Sequence, residues 1–134
     1  MVGGQAVTDC IAIGVGCRAG ASAEAVEALI RRALRHAPRA RRLGVFTIQD
    51  KAAEPGLNEA AGRFGLAVVS LAREVLRAQD VQTRSVRVET LFGVGSVAEA
   101  AALAGAGARA VLLVPRIAGG GVTCAIARSC GDPA

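Results

Sequence analysis

The run CIAIGVG at residues 10–16 passes within six residues into a segment of helical periodicity, and this strand-to-helix alternation then recurs along the chain. Ile, Val and glycine in a short apolar run read as a strand buried on both faces. Ser22 caps the helix that follows, which is expected to run to about Ala37. Val26, Leu29, Ile30, Ala33 and Leu34 fall on one side of it, and Pro38 stops it. LGVFTI (43–48) reads as a second strand, and Pro55 opens a second helix that Gly65 ends. LAVVSL (66–71) is a third strand, followed by a short helix near 72–78 and a poorly patterned segment over 79–94. Ser96 and Glu99 have capping-box spacing at the start of an alanine-rich helix that Gly105 or Gly107 ends. AVLLVP (110–115) and VTCAIA (122–127) are the last two strands. The turn between them is too short for a crossover helix, so they should form a hairpin. The expected fold is therefore α/β: a three-layer α/β/α sandwich on a mostly parallel five-stranded sheet, with the last strand antiparallel.

With 134 residues the chain is expected to be one domain, its ordered core spanning about 9–128. Aromatic residues make up 2% and there is no Trp or Tyr, so the core must be built from Ala, Val, Leu and Ile. That shortage removes the rings on which single-stranded nucleic acids stack, and no nucleic-acid partner is expected. The net charge of +5 is carried almost wholly by Arg, whose planar fork matches carboxylate and phosphate. Arg31, Arg32, Arg35, Arg39, Arg41 and Arg42 crowd the end of the first helix, where a solvated face also suits the helix dipole. Cys10, Cys17, Cys124 and Cys130 have no zinc-ligand spacing, and neither a metal nor a cofactor is expected. No basic leader and no apolar run of about 18 residues is present, so a cytoplasmic, non-membrane protein is expected.

In open α/β sheets ligands bind outside the carboxyl ends of the strands. That rule brings together Gly16, Cys17 and Arg18 after the first strand, Lys51 after the second, and Arg116 after the fourth. It adds Gly120, Gly121 and Thr123 at the start of the fifth, with Ser96 at the same edge. Three helix N-termini, at Ser22, Pro55 and Ser96, face the same rim and favour an anion. Gly14, Gly16 and Ala19 satisfy a loose GxGxxA dinucleotide pattern, but no second mononucleotide half and no complete phosphate loop accompany it. A small nucleotide-binding regulator is thus one alternative.

Cys17 and Glu54 are the candidate catalytic groups. The helix N-terminus and Arg18 would acidify the Cys17 thiol, but the only base of the histidine type is His36. It lies about 20 Å away by helix rise. Glu54 has an N-cap or first-turn role available at the Pro55 helix.

Four stretches carry a family likeness: IGVGCRAGASAEAVEALI (13–30), FTIQDKAAEPGL (46–57), SVAEAAALAGAG (96–107) and LLVPRIAGGGVTCAIAR (112–128). In this order they make the chain resemble the family of CobE and the CbiG C-terminal domain, proteins of cobalamin biosynthesis. The resemblance implies a corrin or precorrin intermediate as partner, with other enzymes of the pathway as further partners. In the CbiG branch it implies a hydrolase that opens the lactone of cobalt-precorrin-5A. The chain's length is that of the CobE branch, which points instead to a carrier or accessory protein. The motif positions carried over are Gly16, Cys17, Arg18, Ser22, Lys51, Glu54, Gly56, Ser96, Glu99, Gly120, Gly121 and Thr123. Arg116 stands where the family usually has Lys, Gln49 where it often has an acid, and Ile117 and Ala118 make that lip less polar.

Overall fold

The computed structural model describes residues 10–129. Its elements are β1 (Cys10–Cys17), α1 (Ala23–Leu34), β2 (Arg41–Ile48), α2 (Pro55–Arg63) and β3 (Val68–Leu71). They continue with α3 (Arg73–Arg77), α4 (Val86–Phe92), α5 (Val97–Ala106), β4 (Val111–Gly119) and β5 (Val122–Arg128). The five strands form one sheet in the order β3-β2-β1-β5-β4. β1 pairs in parallel with β2, and β2 with β3, while β5 runs antiparallel between β1 and β4. Four strands thus point one way and the last the other, as the alternation of the sequence implies.

β1 is the centre of the molecule, and its two faces are built differently. Ile11, Ile13 and Val15 point into a core of branched side chains with Val26, Leu29, Ile30 and Ala33 of α1 and Leu57, Ala60 and Ala61 of α2. Removing such a side chain from water contributes about 1.5–3 kcal/mol. Ala12 on the other face joins Ala125 and Ala127 of β5 in a layer of small residues beneath α5, whose Ala98, Ala101 and Ala102 are fully buried. Gly14 and Gly16 also face α5. A Cβ on Gly14 would stand 2.0 Å from the Ala98 carbonyl oxygen and 2.5 Å from the Ala102 nitrogen. A core almost without aromatics is filled on this side by backbone approaching backbone, which close packing requires when side chains are small.

Local signals place most boundaries. Ser22 Oγ accepts the Ala25 N–H at 3.1 Å and starts α1. That helix ends at Leu34 rather than near Ala37: Arg35 is its C-cap, and His36 and Ala37 form a turn closed by i→i−3 bonds. Arg31 pairs with Glu27 and lies over the Phe64 ring at 5.2 Å, so part of the arginine cluster is tied to α2. β3 begins at Val68, two residues later than its apolar run. α5 ends at Gly107, which has φ +109. Gly120 and Gly121, at φ +63 and +80, make the two-residue turn of the β4–β5 hairpin, where both central residues need positive φ.

Two expectations change. The segment 79–94 contains α4, capped by Ser85 and ended by Gly93 in the left-handed region. Its signals are a serine cap and a glycine stop around only seven residues, too few for periodicity to register. β4 also extends past Pro115 to Gly119, interrupted by an irregularity between Val114 and Ile117. Pro115 lacks an N–H for the ladder, and an edge strand absorbs it as a bulge.

Candidate functional site

The carboxyl ends of β1 and β2, the bulge of β4 and the start of β5 open on one cavity of about 390 Å³. Gly16, Cys17 and Arg18 form one wall and Gly121, Val122 and Thr123 the next. Lys51, on the short turn after β2, and Arg116 face in from either side. The remaining wall is α4, which contributes Arg87, Val88, Leu91 and Phe92. A smaller recess of about 60 Å³ continues behind Cys17 and Arg116 to Ile48, Ser96 and Val97.

The loop after β1 is held without using its side chains. Arg18 N–H donates to the Gly121 carbonyl at 3.0 Å, and Gly20 N–H donates to Glu54 Oε1 at 2.9 Å. The Arg18 side chain lies across Gly121, where a Cβ would be 3.2 Å from it. Thr123 Oγ1 donates to the Gly16 carbonyl at 3.3 Å and closes the floor between β1 and β5.

Glu99 organises the opposite side. It is fully buried and accepts four hydrogen bonds: from Gln82 N at 2.8 Å, Thr83 N at 2.7 Å, Thr83 Oγ1 at 2.8 Å and Arg116 N at 2.9 Å. Only half of the expected capping box therefore forms. Ser96 Oγ accepts the Glu99 N–H at 3.2 Å, but the Glu99 carboxylate turns away from Ser96 toward the β4 bulge and the 82–83 loop. Burial pushes its pKa up. The N–H groups of Arg116, Thr83 and Gln82 and the Thr83 hydroxyl outweigh that and hold it below the ordinary value. A carboxylate in this place fixes two walls of the cavity at once.

Among the described residues, Arg18, Lys51, Arg87 and Arg116 form no salt bridge, whereas Arg31, Arg63, Arg73 and Arg84 do. Four cations without carboxylate partners thus surround a cavity whose inner surface is largely Val88, Leu91, Phe92, Ala118 and Val122. Such a site recognises a ligand with an apolar body and several peripheral anionic groups.

The structure brings Gly16, Cys17, Arg18, Lys51, Arg116, Gly121 and Thr123 together in the larger cavity and Ser96 in the recess behind it. Ser22, Gly56 and Gly120 line neither. Ser22 caps α1, Gly120 serves the hairpin turn, and Gly56 lets α2 meet the loop before α1, where a Cβ would stand 2.1 Å from the Ala21 carbonyl oxygen. Glu54 occupies the N-cap position of α2 without a side-chain cap bond, its carboxylate being given to Gly20 N–H instead. Gly14 and Gly16 serve the packing of α5 and Thr123, a use unlike that of a dinucleotide loop.

The expectation of an acidified Cys17 is reversed. Burial raises its pKa, the nearby Glu54 charge raises it further, and Lys51 offsets only part of this. A thiol with a raised pKa stays protonated at neutral pH. Arg87, Val88, Leu91 and Phe92 are the site residues that sequence reasoning missed. Their one legible signal was the Ser85 to Gly93 cap-and-stop pair.

The family model described as "Cobalamin synthesis G C-terminus" matches residues 11–127. Among solved structures, the chain is similar to CobE, a protein from the cobalamin (vitamin B12) biosynthetic pathway. The two share 35% identity and a TM-score of 0.82 over 90% of each chain. It is also similar to the cobalamin biosynthesis protein chiG of Agrobacterium tumefaciens str. C58, at 38% identity and a TM-score of 0.66. That likeness covers 87% of this chain and 96% of the other. No curated protein matches the chain.

Proposed function

The chain belongs to the cobalamin synthesis G C-terminus family, and from that premise we propose that its cavity binds a corrin-ring intermediate and carries it. The observation that carries this reading is the set of four cations, unpaired among the described residues, around an apolar-walled cavity. A corrin precursor is a flat apolar ring edged with acetate and propionate carboxylates, and the two halves of the site match the two halves of that chemistry. At about 390 Å³ the cavity takes one edge of such a ring, with the remaining carboxylates left in solvent.

A carrier role is favoured over lactone hydrolysis by the state of the two candidate catalytic groups. The Cys17 thiol is held protonated, and the Glu54 carboxylate, one oxygen of which accepts the Gly20 N–H, lines neither the cavity nor its recess. General base chemistry needs a free acceptor within hydrogen-bond reach of the nucleophile. Other enzymes of the pathway, as donors and acceptors of the ring, are the partners this role requires.

The test mixes the protein with late precorrins and with hydrogenobyrinic acid, then follows the visible spectrum and the mass of the ligand. Co-elution with unchanged mass supports the carrier. A mass change assigns an enzyme, and no association with any corrinoid removes both readings.

A further inference from the structure

The segment 85–93 is a wall of the cavity joined to the core through Val88 and Phe92, which pack against it only half-buried. Its two ends are fixed. Thr83 and Gln82 hang on the buried Glu99 carboxylate, and Val94 and Ser96 are buried on the other side. Ser85 N–H donates to the Gly95 carbonyl at 2.8 Å, which pinches the segment into a neck. Between these anchors α4 has no buried residue. Val88 and Phe92 face the cavity half-buried, Leu91 is 54% exposed at the rim and Val86 is 81% exposed. An apolar helix this poorly covered sits at the low-stability end of a fold.

A second hold on α4 lies outside the cavity. The Arg73 guanidinium, on α3, lies over the Phe92 ring at 5.6 Å. The same guanidinium pairs with the Asp50 carboxylate through Nε, at 3.0 Å to Oδ1, and through its Nη2. Asp50 is the neighbour of Lys51, so this chain of contacts links the loop bearing a cavity cation to the helix bearing the apolar wall. Both charged groups are about one-third exposed, and each contact is of a kind that breaks readily.

We infer that Asp50, Arg73 and Phe92 form a latch that holds α4 at the cavity mouth. α4 swings on Ser85 and Gly93 to admit a flat, polycarboxylated ligand wider than the closed cavity. The inference rests on the binding reading given above. Gly93 supplies a hinge because its backbone lies in the left-handed region, at φ +75. Once a ring edge is in place, its apolar face covers the cavity side of Val88, Leu91 and Phe92 and the latch re-forms behind them.

The experiment compares wild type with Arg73→Gln and Arg73→Lys in two measurements. The first is amide hydrogen exchange of the full chain without ligand. Arg73→Gln should raise exchange over residues 86–93 about tenfold, the loss expected when a part-exposed ion pair and a cation–π contact go together. Arg73→Lys should fall between the two, and exchange in β1 should not change. The second is stopped-flow mixing with hydrogenobyrinic acid, in which association and dissociation should quicken by similar factors. Unchanged exchange over 86–93, or an equal rise in β1, overturns the latch. Faster exchange with unchanged binding rates overturns the gating role. Failure of hydrogenobyrinic acid to bind wild type overturns the gate for that ring, and failure of the late precorrins as well removes the binding reading, while the exchange data decide whether the latch exists.

Discussion

The Glu99 carboxylate accepts the backbone N–H of Arg116 at 2.9 Å, across the gap left where Pro115 interrupts the β4 ladder. A buried acid thereby sets the direction of a strand bulge and the position of a cavity cation. Glu99→Ala leaves the part-buried N–H groups of Gln82, Thr83 and Arg116 without their acceptor, and should cost about 2–4 kcal/mol in denaturant unfolding. Glu99→Gln keeps the volume and one acceptor oxygen and should cost about half as much. Its folded pKa is held below the ordinary 4.5, so its contribution is complete above that pH and is lost as pH falls through the folded value. Glu99→Gln should flatten the acid limb of the stability curve.

The four cavity cations should act additively at low salt. Arg18→Ala, Lys51→Ala and Arg87→Ala are each expected to weaken corrinoid binding about three- to tenfold in titration, with the difference shrinking as salt is added. Arg87 is the decisive one, because only the placement of α4 assigns it to the site. Wild-type affinity in Arg87→Ala would remove α4 from the binding surface.

The Cys17 thiol should alkylate slowly at neutral pH. Burial and the Glu54 charge raise its pKa above the ordinary 9.0, so the thiolate fraction is small below that pH and grows only above it. Iodoacetamide labelling, followed by peptide mass, should speed up in Glu54→Gln and slow down in Lys51→Ala. Cys124, with its pKa pushed up to about 12 by burial, should resist labelling until the protein unfolds.

Gly14→Ala should be among the most damaging of small substitutions. The added methyl group meets α5 backbone atoms at 2.0 and 2.5 Å, and neither can rotate away. The helix must lift from β1, at an expected cost of about 2–4 kcal/mol in thermal or denaturant unfolding. Gly62→Ala, on the exposed side of α2 with open space around it, is the control and should change stability little or raise it.

The strand-and-helix order, the hairpin and the rim were legible because each rests on local rules. Short apolar runs, serine caps and glycine stops act over a few residues, and the carboxyl-end rule needs only their order. Thus Cys17, Arg18, Lys51, Arg116 and Thr123 could be assigned to one edge from the chain alone. What the chain could not disclose depends on distance in space. α4 is a wall because the 82–83 loop is tied to a carboxylate sixteen residues away in sequence. Glu99 leaves its own helix start because a bulged strand offers an unpaired N–H nearby. Gly56 and Gly14 proved to be packing residues because neighbouring backbone arrives within a methyl radius of them. Local sequence determined which elements form and in what order. Tertiary structure decided which polar groups those elements leave unpaired and which side chain answers each, since a buried donor takes the acceptor that packing brings to it.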